Sequence, residues 1–273
     1  MSDSYYELAS TAPDEYRFVP SRHTTGPWAP GLQHGGPPTS LTVAVAERIV
    51  ADATGRTDLT PRRMAADFVG AVPVADLDVR GRVIRAARSA ALVEVSITAA
   101  ERECLVARIW FVATSDTQAE AQRTPPVAPA TPPPASDGPA TDGDGLGLRF
   151  GYGDSIDWRY VSGSITSPGP AAVWARAHLP LVAGWEQSDL GRLALIADSA
   201  SGVSAELDWA RWSFVNVDLD LHLARPVTGE WLLLDAATTL GPDGSALARS
   251  TLSDGTGVVG AGLQTLVLAP RRG

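Results

Sequence analysis

One carboxylate, Asp198, lies where the surrounding pattern favours an apolar residue. Residues 187–202 predict a helix, because Leu190, Leu193 and Ala197 recur at helical spacing and Asp198 continues the same stripe. The neighbouring face is apolar too, so the helix is expected to be surrounded by other structure. A carboxylate in such a place is either held by donors of the protein or acts as a general base. Both interpretations are open at this point.

Other familiar catalytic and ligand-binding motifs are absent. The sequence has no G-x-S-x-G motif of a serine hydrolase, no dinucleotide-binding G-x-G-x-x-G motif, and no H-E-x-x-H or Cys/His ligand set. The single cysteine, Cys104, lies in the apolar segment CLVARIWFV, where packing in the core is its default role. We therefore expect neither a metal ion nor a cofactor.

Charge and hydropathy exclude several classes of partner. The net charge is −9, and all 22 basic residues are arginine. Nucleic acids and anionic membranes both require clustered cations, so neither is expected as a partner. The N-terminal segment MSDSYYELAS lacks the apolar region of a signal peptide, and no run of about 18 apolar residues could span a bilayer. Together with the single cysteine, these features predict a cytoplasmic protein.

A segment rich in Pro, Ala, Gly and Asp divides the chain at residues 115–148. It has almost no large apolar side chains, so it cannot bury enough surface to offset the entropy cost of ordering. We predict a linker there that can be disordered. It separates an N-terminal domain, residues 1–114, from a C-terminal domain, residues 149–273, and their similar lengths suggest an internal repeat.

The two halves have the same predicted order of elements: a short strand, a helix and four strands. The first half has a strand at 16–20, a helix at 37–51 and strands at 63–72, 74–86, 91–100 and 104–114. The second has a strand at 157–162, the helix at 187–202 and strands at 213–223, 230–239, 245–253 and 258–268. This repeated α+β unit predicts a double hotdog, in which two antiparallel sheets are each wrapped around a central helix.

Four short motifs occur in order in the second half: N-x-D-L at 216–219, R-P at 225–226, G-E-W at 229–231 and L-Q-T-L at 263–266. With QHGGPPTSL and LIADSASGVS, they resemble the thioesterase-like proteins of the acyl-CoA thioesterase II type, most of all their actinobacterial branch. The resemblance covers both halves. It implies a role in lipid metabolism, in which water hydrolyses acyl-CoA thioesters without a covalent acyl-enzyme.

The resemblance also implies three catalytic residues that hold and activate the water: an acid on the second helix, a hydroxyl residue on the next strand and a glutamine on the last strand. Asp198 matches the acid and Gln264 the glutamine, whereas Asn216 stands in the place of the hydroxyl residue. An amide can still donate to a carboxylate and accept from water.

The strand pattern around Asn216 conflicts with this role. Every second residue from Val215 to Leu223 is apolar, and Asn216 belongs to the opposite face. If the apolar row packs on the helix, Asn216 points away from Asp198. A bulge in the strand, or contact of the polar face with the partner module, would be needed to bring it into the site.

Residues at the start of the first helix are candidates for substrate binding. His34 precedes Gly35 and Gly36 at the expected interface of the two modules. Glycine permits close approach of the backbone to a ligand, so a backbone N–H of Gly35, Gly36 or Gly191 is a candidate oxyanion donor. His34 is interpreted either as a catalytic or substrate-contacting residue or as an anchor of the loop through a hydrogen bond.

Hydrolysis of acyl-CoA with Asp198 as the base is the leading functional hypothesis. The first helix has no equivalent acid, because Glu47 lies off its apolar face, so one active centre per chain is expected. Two alternatives are open: a non-catalytic acyl-CoA or acyl-carrier binding protein, which Asn216 favours, and a hydratase or dehydratase on the same fold. By analogy with the family, the chain is expected to form a homo-oligomer.

Overall fold

The computed structural model describes residues 4–133 and 150–271. In the first range the elements are β1 (Tyr6–Ala12), β2 (Glu15–Pro20), α1 (Gly36–Thr54), β3 (Leu59–Phe68), β4 (Leu77–Ala86), β5 (Ala90–Ala99), β6 (Arg102–Ala113) and α2 (Gln118–Ala121). In the second range they are β7 (Ile156–Ser164), β8 (Ser167–Ala177), α3 (Asp189–Ala197), α4 (Ala200–Val203), β9 (Trp212–Asn216), β10 (Asp218–Leu223), β11 (Leu232–Leu240), β12 (Ser245–Asp254) and β13 (Gly257–Pro270).

The long helix α1 is the centre of the N-terminal module. It begins after the cap residue Gly35, and Pro37 and Pro38 occupy its first turn, where their missing N–H groups cost no helical hydrogen bond. It ends at Gly55, whose φ of 64° is the left-handed conformation that closes many helices. Its first three turns are buried on all sides, because the sheet covers one side and the second module the other.

Six strands of the N-terminal module form an antiparallel sheet in the order β1-β2-β4-β5-β6-β3. On β5 the alternate residues Ala91, Val93, Val95 and Ile97 are buried against α1, as the period of a strand requires. The strands after α1 lie close to their predicted ranges. β1 lies outside the predicted elements and forms a hairpin with β2.

The second predicted helix is interrupted beside its carboxylate. α3 begins after the capping residue Ser188, and it ends at Ala197. Asp198 follows as the end cap, and α4 starts two residues later. The prediction of one continuous helix over 187–202 is therefore wrong, because the side chain of Gln264 bonds the backbone groups that a continuous helix would pair internally.

The two modules share one continuous antiparallel sheet. The C-terminal strands run in the order β10-β13-β12-β11-β8-β7, β9 pairs with β13, and β10 pairs with β3 of the first module. α1 and α3 pack side by side in opposite directions, and the Ser40 hydroxyl of α1 donates to the Gly191 carbonyl of α3 at 2.8 Å. Each module has a helix covered by its own half of the sheet, so the predicted double hotdog is confirmed.

The described part of the predicted linker, residues 115–133, lies on the surface and includes α2. Pro126 and Val127 contact Gly257 at the turn between β12 and β13. Residues 134–148 of the predicted linker lie outside the described residues. In the part of the chain that the structure describes, no helix is both long and apolar enough to cross a membrane.

Candidate active site

A one-residue bulge turns Asn216 toward the interior of the C-terminal module. On β9, Asn216 is opposite the buried Leu266 of β13. On β10 the register with β13 shifts by one residue, so that Leu221 is opposite Gly262. The extra residue, Val217, is 41% exposed. The simple alternation expected from the sequence is wrong here, because it does not continue across the bulge.

Two amide side chains donate to the same oxygen of Asp198. The Asn216 Nδ2 lies 2.9 Å from Oδ1, and the Gln264 Nε2 lies 3.3 Å from it. Asp198 is only 5% exposed, and a buried carboxylate requires such donors because they replace lost water. The structure thus brings together the three residues that the resemblance implies are catalytic.

Gln264 also bridges the interruption between α3 and α4. Its Nε2 donates to the backbone carbonyl of Asp198 at 3.2 Å, and its Oε1 accepts from the Ser201 N–H at 3.2 Å. Backbone groups at helix ends lack partners within the helix, so the amide satisfies one group at each end of the break. Gln264 therefore positions both the main chain and the side chain of Asp198.

His34 contacts the other carboxylate oxygen. Its Nδ1 lies 3.0 Å from Oδ2 of Asp198 and 3.1 Å from the Gly36 nitrogen. A neutral imidazole has one N–H, so Nδ1 cannot donate to Asp198 and accept from Gly36 together. We assign the proton to Nδ1, because a carboxylate would repel a bare lone pair at this distance. Burial lowers the pKa of His34, and the Asp198 charge only partly opposes this, so the ring is neutral at pH 7.

Tyr152 fixes the imidazole ring from one face. The rings of Tyr152 and His34 stack with centroids 3.8 Å apart and planes 8° apart. The Tyr152 hydroxyl donates to the Leu195 carbonyl at 2.8 Å and lies 2.9 Å from the Ser199 Oγ. Burial raises the pKa of this phenol well above its usual value, so the hydroxyl stays protonated. Sequence reasoning missed Tyr152, because it lies in a glycine-rich loop without a recognisable motif.

Gly35 lets the carboxylate reach the N-terminus of α1. A Cβ at this position would lie 2.7 Å from both oxygens of Asp198 and from the Phe68 Cζ, closer than side chains pack. At Gly36, a Cβ would overlap the Leu195 carbonyl oxygen. Among the described residues the Gly35 N–H has no hydrogen-bond partner. The positive end of α1 therefore faces Asp198 and has an available donor beside it.

The third glycine candidate lies elsewhere. The Gly191 N–H donates to the Ser188 hydroxyl at 3.2 Å, so it is already used in capping α3. Within residues 4–133 and 150–271, no group of three or more His, Cys, Asp or Glu could hold a metal ion.

A cavity of about 330 Å³ opens beside Asp198. Its polar lining includes Asp198, Asn216 and His34. The remainder is mostly apolar or aromatic and includes Pro27, Trp28, Leu32, Phe68, Ala71, Val72, Trp209, Phe214, Val215 and Val217. A concave, mostly apolar site with a few convergent polar groups is the usual form of a small-molecule site.

The R-P motif has a structural role in the C-terminal module. The Arg225 guanidinium bonds both oxygens of the buried Asp254 at 2.8 Å each. The Thr256 hydroxyl and the Thr228 N–H also donate to Asp254. Burial alone would raise the pKa of Asp254, but these donors outweigh it and hold the pKa well below its usual range. The ion pair connects the turn after β12 to the loop after β10.

Sequence comparisons identify both halves of the chain. Residues 24–112 match the acyl-CoA thioesterase N-terminal domain, and residues 125–268 match the acyl-CoA thioesterase C-terminal domain. The second match begins inside the predicted linker. No curated protein matches the chain.

Solved structures share the fold over nearly the whole chain. A conserved protein of unknown function with a hot dog fold from Alicyclobacillus acidocaldarius has a TM-score of 0.74 at 15% identity and covers 97% of this chain and 96% of its own. An acyl-CoA thioesterase II from Mycobacterium marinum has a TM-score of 0.66 at 16% identity, with coverage of 97% and 96%. At these identities the likeness shows the fold alone. The two domain matches span most of the chain in the family's order, and the chain therefore belongs to the acyl-CoA thioesterase family.

Proposed function

We propose that the protein hydrolyses acyl-CoA thioesters with a water molecule that Asp198 deprotonates. The position of Asp198 carries the proposal. It is a buried carboxylate held by two amides, it faces the N-terminus of α1, and it lines a mostly apolar cavity. Membership of the family supports the substrate class, and the cavity offers the acyl group a place beside the base.

The hydrogen bonds indicate which lone pair of Asp198 takes the proton. A carboxylate has about four lone-pair positions, two on each oxygen. Asn216 and Gln264 occupy both positions on Oδ1, and His34 occupies one on Oδ2. The remaining position on Oδ2 is the proton acceptor in this proposal. Asn216 and Gln264 orient the water indirectly, because they fix the carboxylate that binds it.

The reaction then proceeds in two steps. The water oxygen bonds to the thioester carbonyl carbon while its proton moves to Asp198, and the carbonyl π electrons move to the oxygen. The Gly35 N–H, at the positive end of α1, is the proposed donor to this oxyanion. The oxyanion then collapses, the C–S bond breaks, and the CoA thiolate takes the proton from Asp198. The products are a carboxylic acid and free CoA.

Release of free thiol from acyl-CoAs of several chain lengths tests the proposal. We expect turnover by the parent and a loss of about 10²- to 10⁴-fold in Asp198→Asn, the range typical of a lost general base. Saturable acyl-CoA binding without release of thiol would refute hydrolysis and support the binding-protein alternative, which the replacement of a hydroxyl residue by Asn216 favours. Hydration of an enoyl-CoA would instead indicate a hydratase. Assembly into a homo-oligomer and a cytoplasmic location stay predictions.

A further inference from the structure

Trp28 lies in the walls of two cavities of the protein. The cavity beside Asp198 and a second cavity of about 430 Å³ both have Pro27 and Trp28 in their walls. The second cavity is otherwise lined by different residues, among them Arg22, Phe150 and Asp154. Trp28 and its neighbour Pro27 are therefore the residues that the two cavities share.

Aromatic contacts hold the Trp28 ring in place. The Trp28 ring stacks on Trp209 at 5.2 Å with planes 24° apart, and it meets the Phe214 ring edge-on at 5.1 Å. Trp209 and Phe214 contact each other at 4.5 Å. The Arg271 guanidinium carbon lies 5.4 Å from the Trp28 ring centre, within the range of a cation–π contact. A ring with three neighbours has little freedom to rotate out of the wall.

The aromatic wall is continuous with the proposed catalytic carboxylate. Ser201 and Gly202 follow Asp198 along the chain and line the same cavity. The six-membered ring of Trp209 packs over Gly202, where an added Cβ would lie 3.6 Å from it. An acyl group that extends from Asp198 along Gly202 would meet the Trp209 ring.

We propose that Trp28, backed by Trp209 and Phe214, closes the acyl-binding site and limits the acyl group to roughly eight carbons, the size of an octanoyl or phenylacetyl group. The inference rests on the proposed function, since it assigns the acyl group to the cavity beside Asp198. An apolar wall suits an acyl chain, whereas the phosphates of CoA would lose their hydration there.

The cavity volume is the basis of the size estimate. An engineered cavity of about 150 Å³ holds benzene, which has six carbons. The cavity of about 330 Å³ is roughly twice as large, and part of it must accommodate the thioester itself. Flat rings fit a wall of two indoles and a phenyl ring, because aromatic groups favour stacked and edge-on contacts.

Rates with butyryl-, octanoyl-, phenylacetyl- and palmitoyl-CoA test the proposal. For the parent we expect kcat/KM to be at least about tenfold higher with octanoyl- or phenylacetyl-CoA than with palmitoyl-CoA. Trp28→Ala removes the indole that the proposal assigns to the end of the site, and it should raise the palmitoyl-to-octanoyl ratio at least about tenfold. Gly202→Leu adds a larger side chain to the cavity beside Trp209 and should lower the octanoyl-to-butyryl ratio. Trp185→Ala is the control, because Trp185 packs on Tyr16 and Phe18 and lines neither cavity.

Equal rates for octanoyl- and palmitoyl-CoA in the parent, or an unchanged ratio in Trp28→Ala, would overturn the proposal. A binding measurement separates this failure from a failure of the proposed function. Hydrolysis-resistant thioether analogues of the same four acyl-CoAs are titrated into the parent and Trp28→Ala, with indole fluorescence as the signal. If no acyl-CoA is hydrolysed, tighter binding of the octanoyl or phenylacetyl analogue than of the palmitoyl analogue to the parent still supports the size limit. Tightest binding of the palmitoyl analogue to the parent refutes it.

Discussion

Replacing Gly35 by alanine should displace the proposed base while leaving the fold intact. The new Cβ would lie 2.7 Å from both Asp198 oxygens and from the Phe68 Cζ, whereas ordinary contacts begin at 3.4 Å. The carboxylate must retreat by about 0.7 Å to relieve the overlap. Such a shift disturbs its hydrogen bonds to Asn216 and His34, which are 2.9 and 3.0 Å long. A misplacement of about 1 Å can cost roughly 10²-fold in rate.

The stability cost of Gly35→Ala should be small, because both obstructing groups are the ends of side chains. We expect about 1 kcal/mol, at the low end for overpacking, which lowers Tm by roughly 2–4 °C. The matched control is Gly36→Ala, whose Cβ would overlap the Leu195 backbone carbonyl and push α1 away from α3. There we expect a loss of about 3 kcal/mol, or roughly 6–12 °C in Tm.

The assay compares kcat/KM for octanoyl-CoA with the thermal unfolding midpoint of the three proteins. Gly35→Ala should lose about 10²-fold in kcat/KM with little change in Tm, and Gly36→Ala should show the larger fall in Tm. Full activity of Gly35→Ala would refute the placement of Asp198 against the start of α1. A collapse of Tm in Gly35→Ala alone would refute the distinction between the two glycines.

Three further predictions concern the neighbours of Asp198 and the buried ion pair. A cationic His34 would weaken Asp198 as a proton acceptor, and burial holds the pKa of His34 below 6.5. The pH dependence of kcat/KM should therefore lose one protonation below pH 6.5 in His34→Gln. Superimposable pH profiles of the parent and His34→Gln would contradict this. Asn216→Ala removes one hydrogen bond to the carboxylate and should lower kcat about 10- to 100-fold, while Asn216→Thr should retain more activity. Equal rates of the two variants would count against a role for the hydrogen bond from Asn216 to Asp198. Asp254→Asn breaks the buried pair with Arg225 and should cost about 3–5 kcal/mol near pH 7, measured by urea unfolding. Because the pKa of Asp254 is lowered in the folded state, its contribution is present above its unfolded value of 3.8 and is lost as the pH falls below it, so the difference between parent and variant should shrink in acid.

The sequence predicts the parts of this fold whose residues interact locally. Apolar residues recur with a period of 3.6 in α1 and with a period of 2 in β5, because the helix and the strand pack against each other. The resemblance to thioesterases also selected Asp198 and Gln264, which the structure places 3.3 Å apart. These predictions required no knowledge of how distant segments meet.

Three features of the site depend on tertiary structure and could not be derived from periodicity. The bulge at Val217 turns Asn216 to the face opposite the one that strict alternation predicts. In the sequence Val215 and Val217 continue the apolar row of the strand, but in the structure they are 40% and 41% exposed. The break after α3 is stabilised by Gln264, which is distant in sequence. Tyr152 reaches His34 from the far side of the linker, and no local pattern specifies that stacking.

The most direct test of the central claim compares Asp198→Asn with Asp220→Asn. Asp220 lies on the neighbouring strand β10 and pairs with Arg63 outside the cavity, so it controls for the loss of a charge. We predict that Asp198→Asn stays folded, binds the octanoyl thioether analogue as the parent does, and loses about 10²- to 10⁴-fold in kcat, while Asp220→Asn keeps the parent kcat. A folded Asp198→Asn with a kcat within threefold of the parent would contradict the assignment of Asp198 as the base.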